Sequence, residues 1–337
     1  MVNRPIEILR LFRIHTAAAT ASIATIAVLA AGSDLITALL IFAGCVLNHA
    51  WGFSLNEIGD LEVDRRSSDL SHKPIVSGAI GIRSAWIYSM SALVLSFILI
   101  LGSAVYSGTP IIYPAVFLIT AVVSGFIYDL RGKRFPSDIF VSAWIFFLVL
   151  ACSTSTVRFE ELPLAVWAVV FISPIQLLFN NSVEGGIKDL DHDREAGAKT
   201  MALSLGCRWE DGKRHLSGSF IIWGMALRVA FVISAVVFTY IISEQEGFGY
   251  WLVLTVGTIG AVIFAHSLTF LRSEMDESRR DLIKRFSIQE ILSFAVSILI
   301  VIAAVGIIPG IAIFLLTMMW FVLFNRLLFR TGISPKV

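Results

Sequence analysis

Long runs of apolar residues, broken by short polar stretches, fill the chain from Ile14 almost to its end. A helix of roughly 20 apolar residues crosses the ~30 Å hydrocarbon layer of a bilayer. Runs of that size fall at 15–31, 35–55, 84–105, 110–128, 138–156, 162–181, 217–242, 248–271, 287–307 and 310–329. Only "IIPG" separates the last two, so they read either as two spans or as one broken or re-entrant helix, and the total is nine or ten. No period-two alternation persists in any run. Backbone groups in lipid must be satisfied within their own segment, so the pattern predicts an all-α, polytopic transmembrane helical bundle and not a barrel.

Composition agrees: 57% of residues are hydrophobic and 15% charged, with mean hydropathy +0.83. A formal net charge of +1 gives no bulk electrostatic case for nucleic acid. Cys45, Cys152 and Cys207 have spacings that suit neither zinc nor a disulfide framework. The start, "MVNRPIEILRLFR", has no short apolar core followed by a small-residue cleavage site, so no removable signal peptide is expected. With the N-terminus in the cytoplasm, all but two of the 26 Lys and Arg fall in cytoplasmic tails and loops. Arg158 lies opposite and Arg228 lies within a span. That asymmetry is the positive-inside pattern, and it places the loops 56–83, 129–137, 182–216 and 272–286 on the cytoplasmic side of a cell membrane.

Two of those loops begin with a polar stripe. Every fourth residue from Asn48 gives Asn48, Gly52, Asn56, Asp60 and Asp64, and every fourth from Asn181 gives Asn181, Gly185, Asp189 and Asp193. Residues four apart share one face of a helix. Asp60 and Asp189 have the same separation as Asp64 and Asp193, which predicts two related halves, about 1–135 and 136–270, followed by C-terminal helices over 287–329. Bare carboxylates gathered together repel one another. Two facing DxxxD pairs suit about two or three Mg²⁺, with open positions left for a diphosphate. Arg13, Lys73, Lys133, Arg134, Lys188 and Lys199 are the basic residues available to neutralise such an anion.

Each signal has an ordinary counterpart. One DxxxD at a membrane edge is common as loop solvation, and it is the matched second pair that favours chemistry. Asn48 and Asn181 also suit helix packing. Glu57, Glu62, Glu184 and Asp191 lie off the stripes and read as solvated. His15, His49 and His266 read as satisfied core histidines. Arg228, in mid-span, needs a polar partner or a wet pocket.

The motifs resemble those of the UbiA superfamily of intramembrane prenyltransferases. "NEIGDLEVD" is similar to that family's NxxxDxxxD motif, as Asn56, Asp60 and Asp64. "KPIVSG" from Lys73 looks like the end of the same loop, "KDLDHDREAGAKT" from Lys188 resembles the second aspartate motif, and "YDLRGKRFPSD" resembles a further loop with Tyr128, Lys133 and Arg134. Gly185 stands where a strict repeat has Asn. The resemblance implies one domain over 1–337 with a central cavity capped by cytoplasmic loops. It implies Mg²⁺ held by Asp60, Asp64, Asp189 and Asp193 with Asn56, and a prenyl diphosphate donor whose leaving group meets Lys133, Arg13 and Lys188. Tyr128 would hydrogen-bond the diphosphate or shield the allylic cation. The acceptor would be a hydrophobic or aromatic molecule, either a quinone precursor or a glycerophospholipid precursor.

Two rivals remain to be weighed. A CDP-alcohol phosphotransferase resembles a DGxxAR pattern, but the only "DG", Asp211-Gly212, is followed by "KRH". A cation transporter using the paired aspartates would carry acids near the bilayer middle, whereas these stand at span ends.

Overall fold

The computed structural model describes residues 4–65, 70–131 and 134–330. In chain order these form α1 (Arg4–Leu11), α2 (Ile14–Ala30), α3 (Leu35–Gly59), α4 (Leu61–Asp64), α5 (Ile82–Ser107), α6 (Ile112–Arg131), α7 (Asp138–Thr154) and α8 (Leu164–Phe179). A π-turn (Asn180–Gly185) leads into α9 (Gly186–Lys188), α10 (Leu190–Glu195) and α11 (Met201–Ser204). There follow β1 (Arg208–Glu210), β2 (Lys213–His215), α12 (Gly218–Gln245), α13 (Trp251–Phe270), β3 (Glu274–Met275), α14 (Arg279–Val305) and α15 (Ile307–Phe329).

Among the described residues eight helices are long and apolar enough to cross a membrane, and nine if α1 and α2, bent by 44°, form one span. The bend falls at Arg13, whose φ of 41° and ψ of 44° put a non-glycine residue in the left-handed region. α7, with 17 residues, is shorter. α14 and α15 are each long enough to span alone. Between them Gly306 takes a φ of +87°, a conformation open to glycine. The outward faces are apolar: Val105, Ile222, Leu254 and Ile308 are all exposed, as lipid-facing residues are.

Two compact units are present. One comprises 1–131, 147–162 and 311–337; the other comprises 132–146 and 163–310. In the first, α3 packs on α5 through small residues. Ala85, Ser89, Ala92, Ser96, Ser103 and Ala104 of α5 are buried, and the Ser89 hydroxyl donates to the Trp51 carbonyl at 3.1 Å. Small side chains let helix backbones approach, and this is the main packing device in lipid. The closest approach is that of α3 to the end of α6, where a Cβ on Gly59 would overlap the backbone oxygen of Asp129. The thiols of Cys45 and Cys152 meet at 3.5 Å, a contact hidden by their distance in sequence. His49 hydrogen-bonds Thr16 and Thr20, as a satisfied core histidine should.

The second unit has a core of Phe179, Phe220, Phe270, Phe286, Leu227 and Leu282 with their neighbours. It also carries a small antiparallel sheet in the order β1-β2-β3, which the apolar pattern did not predict. The local signal was Asp211-Gly212. Both residues have positive φ, 51° and 76°, as a type I′ hairpin turn requires. A second difference concerns α14. It begins at Arg279, two turns before the apolar run, so Arg279, Arg280, Lys284 and Arg285 are helical. Ser278 caps this helix by accepting from the Asp281 N–H.

Gly59→Ala should lower stability by about 1–3 kcal/mol, the usual cost of overpacking. Gly102→Ala, which meets nothing within 4 Å, serves as the control. Thermal unfolding in detergent measures both, and equal melting temperatures would contradict the α3–α6 approach.

Candidate functional site

In the first unit α3 runs as a regular helix to Gly59, breaks at Asp60 (φ −86°, ψ −3°) and resumes as α4. Backbone hydrogen bonds lead into and out of the break. Asp60 N–H donates to the Asn56 carbonyl and Asp64 N–H to the Asp60 carbonyl, both at 2.9 Å. Asn56, Asp60 and Asp64 therefore keep the four-residue spacing, and Asn48 stands two turns earlier, fully buried. Asp64 is buried and accepts from Lys73 Nζ at 2.6 Å. Glu57 is not solvated, contrary to expectation. It is buried and accepts from the Ile75 N–H at 2.8 Å, which ties the "KPIVSG" loop to α3. Leu11, Leu61, Ile75 and Ile80 close over that tie.

Arg13 lays its guanidinium over the Phe53 ring at 4.9 Å, one turn before Asn56 and Glu57. Asp129, next to Tyr128 on α6, was missed in the sequence. It is buried, with Asp60 and Arg13 as its charged neighbours, and a Cβ on Gly52 would stand 3.8 Å from its Oδ2. Its only sequence signal was a charge at a span end. Tyr128 is half-buried, Arg134 is exposed, and Lys133 lies outside the described residues.

The second motif repeats this local plan. Asp189 sits at a break (φ −103°, ψ 10°) between α9 and α10. Its N–H donates to the Gly185 carbonyl at 2.9 Å, and the Asp193 N–H donates to the Asp189 carbonyl at 2.8 Å. Asp193 is buried, as Asp64 is. Both leading aspartates occupy the bridge region of backbone space, a frequent setting for active-site residues. Asp189 accepts from Arg279 Nη2 at 2.7 Å and has Lys188 Nζ at 3.4 Å. Lys199 is exposed.

The second stripe does not run on a regular α-helix back to Asn181. Residues 180–185 form a π-turn, with fewer degrees of rotation per residue than an α-helix. Asn181 lies in this turn, and its Nδ2 donates to the Leu177 carbonyl at 2.9 Å. Glu184, expected in solvent, is buried within this turn and faces Arg228 Nη2 at 3.5 Å. Arg228, fully buried, also donates to Gln176 Oε1 at 2.7 Å and stacks 3.4 Å from the Phe179 ring centre. With the Gln289 amide turned to satisfy all its neighbours, its oxygen accepts from Arg228 Nε at 2.8 Å and from Arg228 Nη2, and its nitrogen faces His266. The mid-span arginine thus has polar partners from three other segments. It clamps the π-turn that leads into the second motif.

Among the described residues no three His, Cys, Asp or Glu side chains gather in a metal-binding group. Each motif therefore offers a carboxylate pair and not a closed cage. That donor set fits Mg²⁺, which takes one or two carboxylates and completes its shell with water and phosphate oxygens.

The model of the UbiA prenyltransferase family matches residues 17–288. A 4-hydroxybenzoate octaprenyltransferase of Acidovorax ebreus (strain TPSY) is 28% identical over 167 residues, 49% of this chain and 53% of that protein. The chain thus spans about half the length of this curated relative. Among solved structures, a digeranylgeranylglyceryl phosphate synthase superposes with TM-score 0.63 at 16% identity, over 90% of this chain and 99% of that one. A UbiA homolog from Archaeoglobus fulgidus bound to GPP and Mg²⁺ superposes with TM-score 0.57 at 19% identity, over 88% and 99%. At these identities the likeness is one of fold.

Arg228→Met should cost about 3–5 kcal/mol, because it leaves Glu184 buried without its cation. Adding Glu184→Gln should recover part of the loss, since the two residues act as a unit. Melting curves of the two variants decide it. A single variant within about 2 °C of the parent would show that the clamp carries no stability.

Proposed function

Because the chain belongs to the UbiA prenyltransferase family, we propose that this multi-pass membrane protein transfers a prenyl group from an allylic prenyl diphosphate to an aromatic or lipid acceptor, with Mg²⁺, releasing diphosphate. The observation that carries the reading is the pair of matched aspartate turns. Each opens at a helix break, each buries its second carboxylate, and each sets one carboxylate against a cation from a later segment.

Asp60, Asp64, Asp189 and Asp193, with Asn56, are the residues that would hold Mg²⁺, which when bound supplies Lewis-acid withdrawal of charge from the leaving diphosphate. Lys133, Arg13 and Lys188 stabilise the anionic oxygens as the C1–O bond stretches, and Lys73, Arg134 and Lys199 add to that field. Tyr128 hydrogen-bonds the diphosphate or shields the allylic cation. The acceptor's nucleophilic carbon or oxygen then attacks, and apolar spans exclude the water that would trap the cation as an alcohol. Asn48 keeps its proposed place on the first stripe. Asn181, at the head of the second stripe, keeps its proposed place beside the substrate.

The acceptor class rests on relatives of two kinds, one named for 4-hydroxybenzoate and one for digeranylgeranylglyceryl phosphate. We place the N-terminus and both motifs on the cytoplasmic side, on the Lys and Arg asymmetry. We read 1–337 as one domain of two related halves with added C-terminal helices, on the parallel between the motifs.

Purified protein incubated with Mg²⁺, geranylgeranyl diphosphate and a panel of acceptors should form a prenylated product. Asp60→Ala and Asp189→Ala should each reduce transfer by about 10²-fold or more. Near-normal turnover in both would remove the metal assignment.

A further inference from the structure

Asp189 draws an ion pair from far along the chain. Arg279, the first residue of α14, donates through Nη2 to Asp189 Oδ1 at 2.7 Å. The rest of its fork is not fully used: Arg279 Nε is shut off from solvent and has no hydrogen-bond acceptor. A guanidinium is built for two parallel bonds to a carboxylate or phosphate. One that holds a carboxylate by one arm, with a dry N–H idle, retains capacity for a further anion. Simple neutralisation of Asp189 does not call for it, since Lys188 is already 3.4 Å away.

A framework in the second unit sets Arg279 there. Leu216 N–H donates to the Ser273 carbonyl at 2.9 Å, and β2 pairs with β3. These bonds sew the loop after α11 to the segment before α14. Arg214, on β2, is buried. Its Nε donates to the Ile187 carbonyl and its Nη1 to the Glu277 carbonyl, both at 2.8 Å, and it stacks over Trp209. Ile187 stands two residues before Asp189, and Glu277 two before Arg279. One buried arginine thus fixes the backbone on both sides of the ion pair.

We infer that Arg279 is a diphosphate-binding residue held in reserve on Asp189. In the resting protein it neutralises the carboxylate. When Asp189 turns to Mg²⁺, the guanidinium is freed for the anionic oxygens of the diphosphate that arrives with the metal. Arg214 is a positioning residue for this exchange. The inference rests on the prenyl-diphosphate reading above and adds to it a residue from a helix start outside both aspartate motifs. In the first unit Lys73 stands on Asp64, the second carboxylate of its motif.

An exchange of this kind predicts effects of opposite sign. Removing Arg279 removes a competitor for Asp189 but also a ligand for the diphosphate. Titrations of the full chain in detergent use Mg²⁺ alone, then inorganic diphosphate and geranyl S-thiolodiphosphate at saturating Mg²⁺. In Arg279→Gln, diphosphate binding should weaken about tenfold or more, while Mg²⁺ alone should bind roughly threefold tighter. Arg279→Lys should recover part of the diphosphate affinity. If Arg279→Gln does not fold, Arg279→Lys carries the test, with the same opposed changes at smaller size. Changes in the same direction, or affinities within about twofold of the parent, overturn the inference. Wild-type protein that binds inorganic diphosphate through Arg279 yet transfers no prenyl group would strike the prenyl-transfer reading alone. Normal transfer with Arg279→Gln unchanged would strike this inference alone.

Discussion

A carboxylate carried on an apolar helix must find a cation or an N–H donor, because hydrocarbon offers it neither. The local structure around both aspartate motifs follows from that constraint. Glu57 takes the Ile75 N–H, and Asp64 takes Lys73. Glu184 faces Arg228, and Asp189 takes Arg279. Each pairing joins a motif helix to a later segment, so satisfying the charge also sets the shape of the loop or helix start that supplies the partner.

The two motifs reach similar geometry by different means. The first continues a regular α-helix to its break at Asp60. The second reaches Asp189 through a π-turn, and the residue that this turn buries, Glu184, is the one that meets Arg228. A π-turn weakens a helix unless something holds it, and here Arg228, Gln176, Gln289 and the Phe179 ring do so. The mid-span arginine is therefore explained as support for the second motif. A role in the chemistry is not needed to account for its burial.

The small sheet has a comparable task. Its eight residues contribute little core, yet they tie the hairpin at Asp211-Gly212 to the segment before α14. Burial pulls the Arg214 guanidinium below its ordinary pKa, while Asp191 and Asp189 act in the opposite direction. An arginine at that position is a fastening for two backbone segments. It places α14 so that its first residue reaches the second motif.

Amino-acid order alone was enough for the helical class, the position of nearly every span, the two DxxxD pairs and the family resemblance. Those features depend on local periodicity and on residues four apart, which a helix brings together whatever surrounds it. It was not enough for Glu57, Glu184, Asp129, Arg214 or Arg279, whose partners lie on other elements. The π-turn at residues 180–185 was not legible either, because no local residue announces it. Span length, stripe and motif are properties of one helix and can be read from one segment. Which distant charge meets which, and which helix start reaches Asp189, depends on how segments pack, and only the tertiary structure decided those.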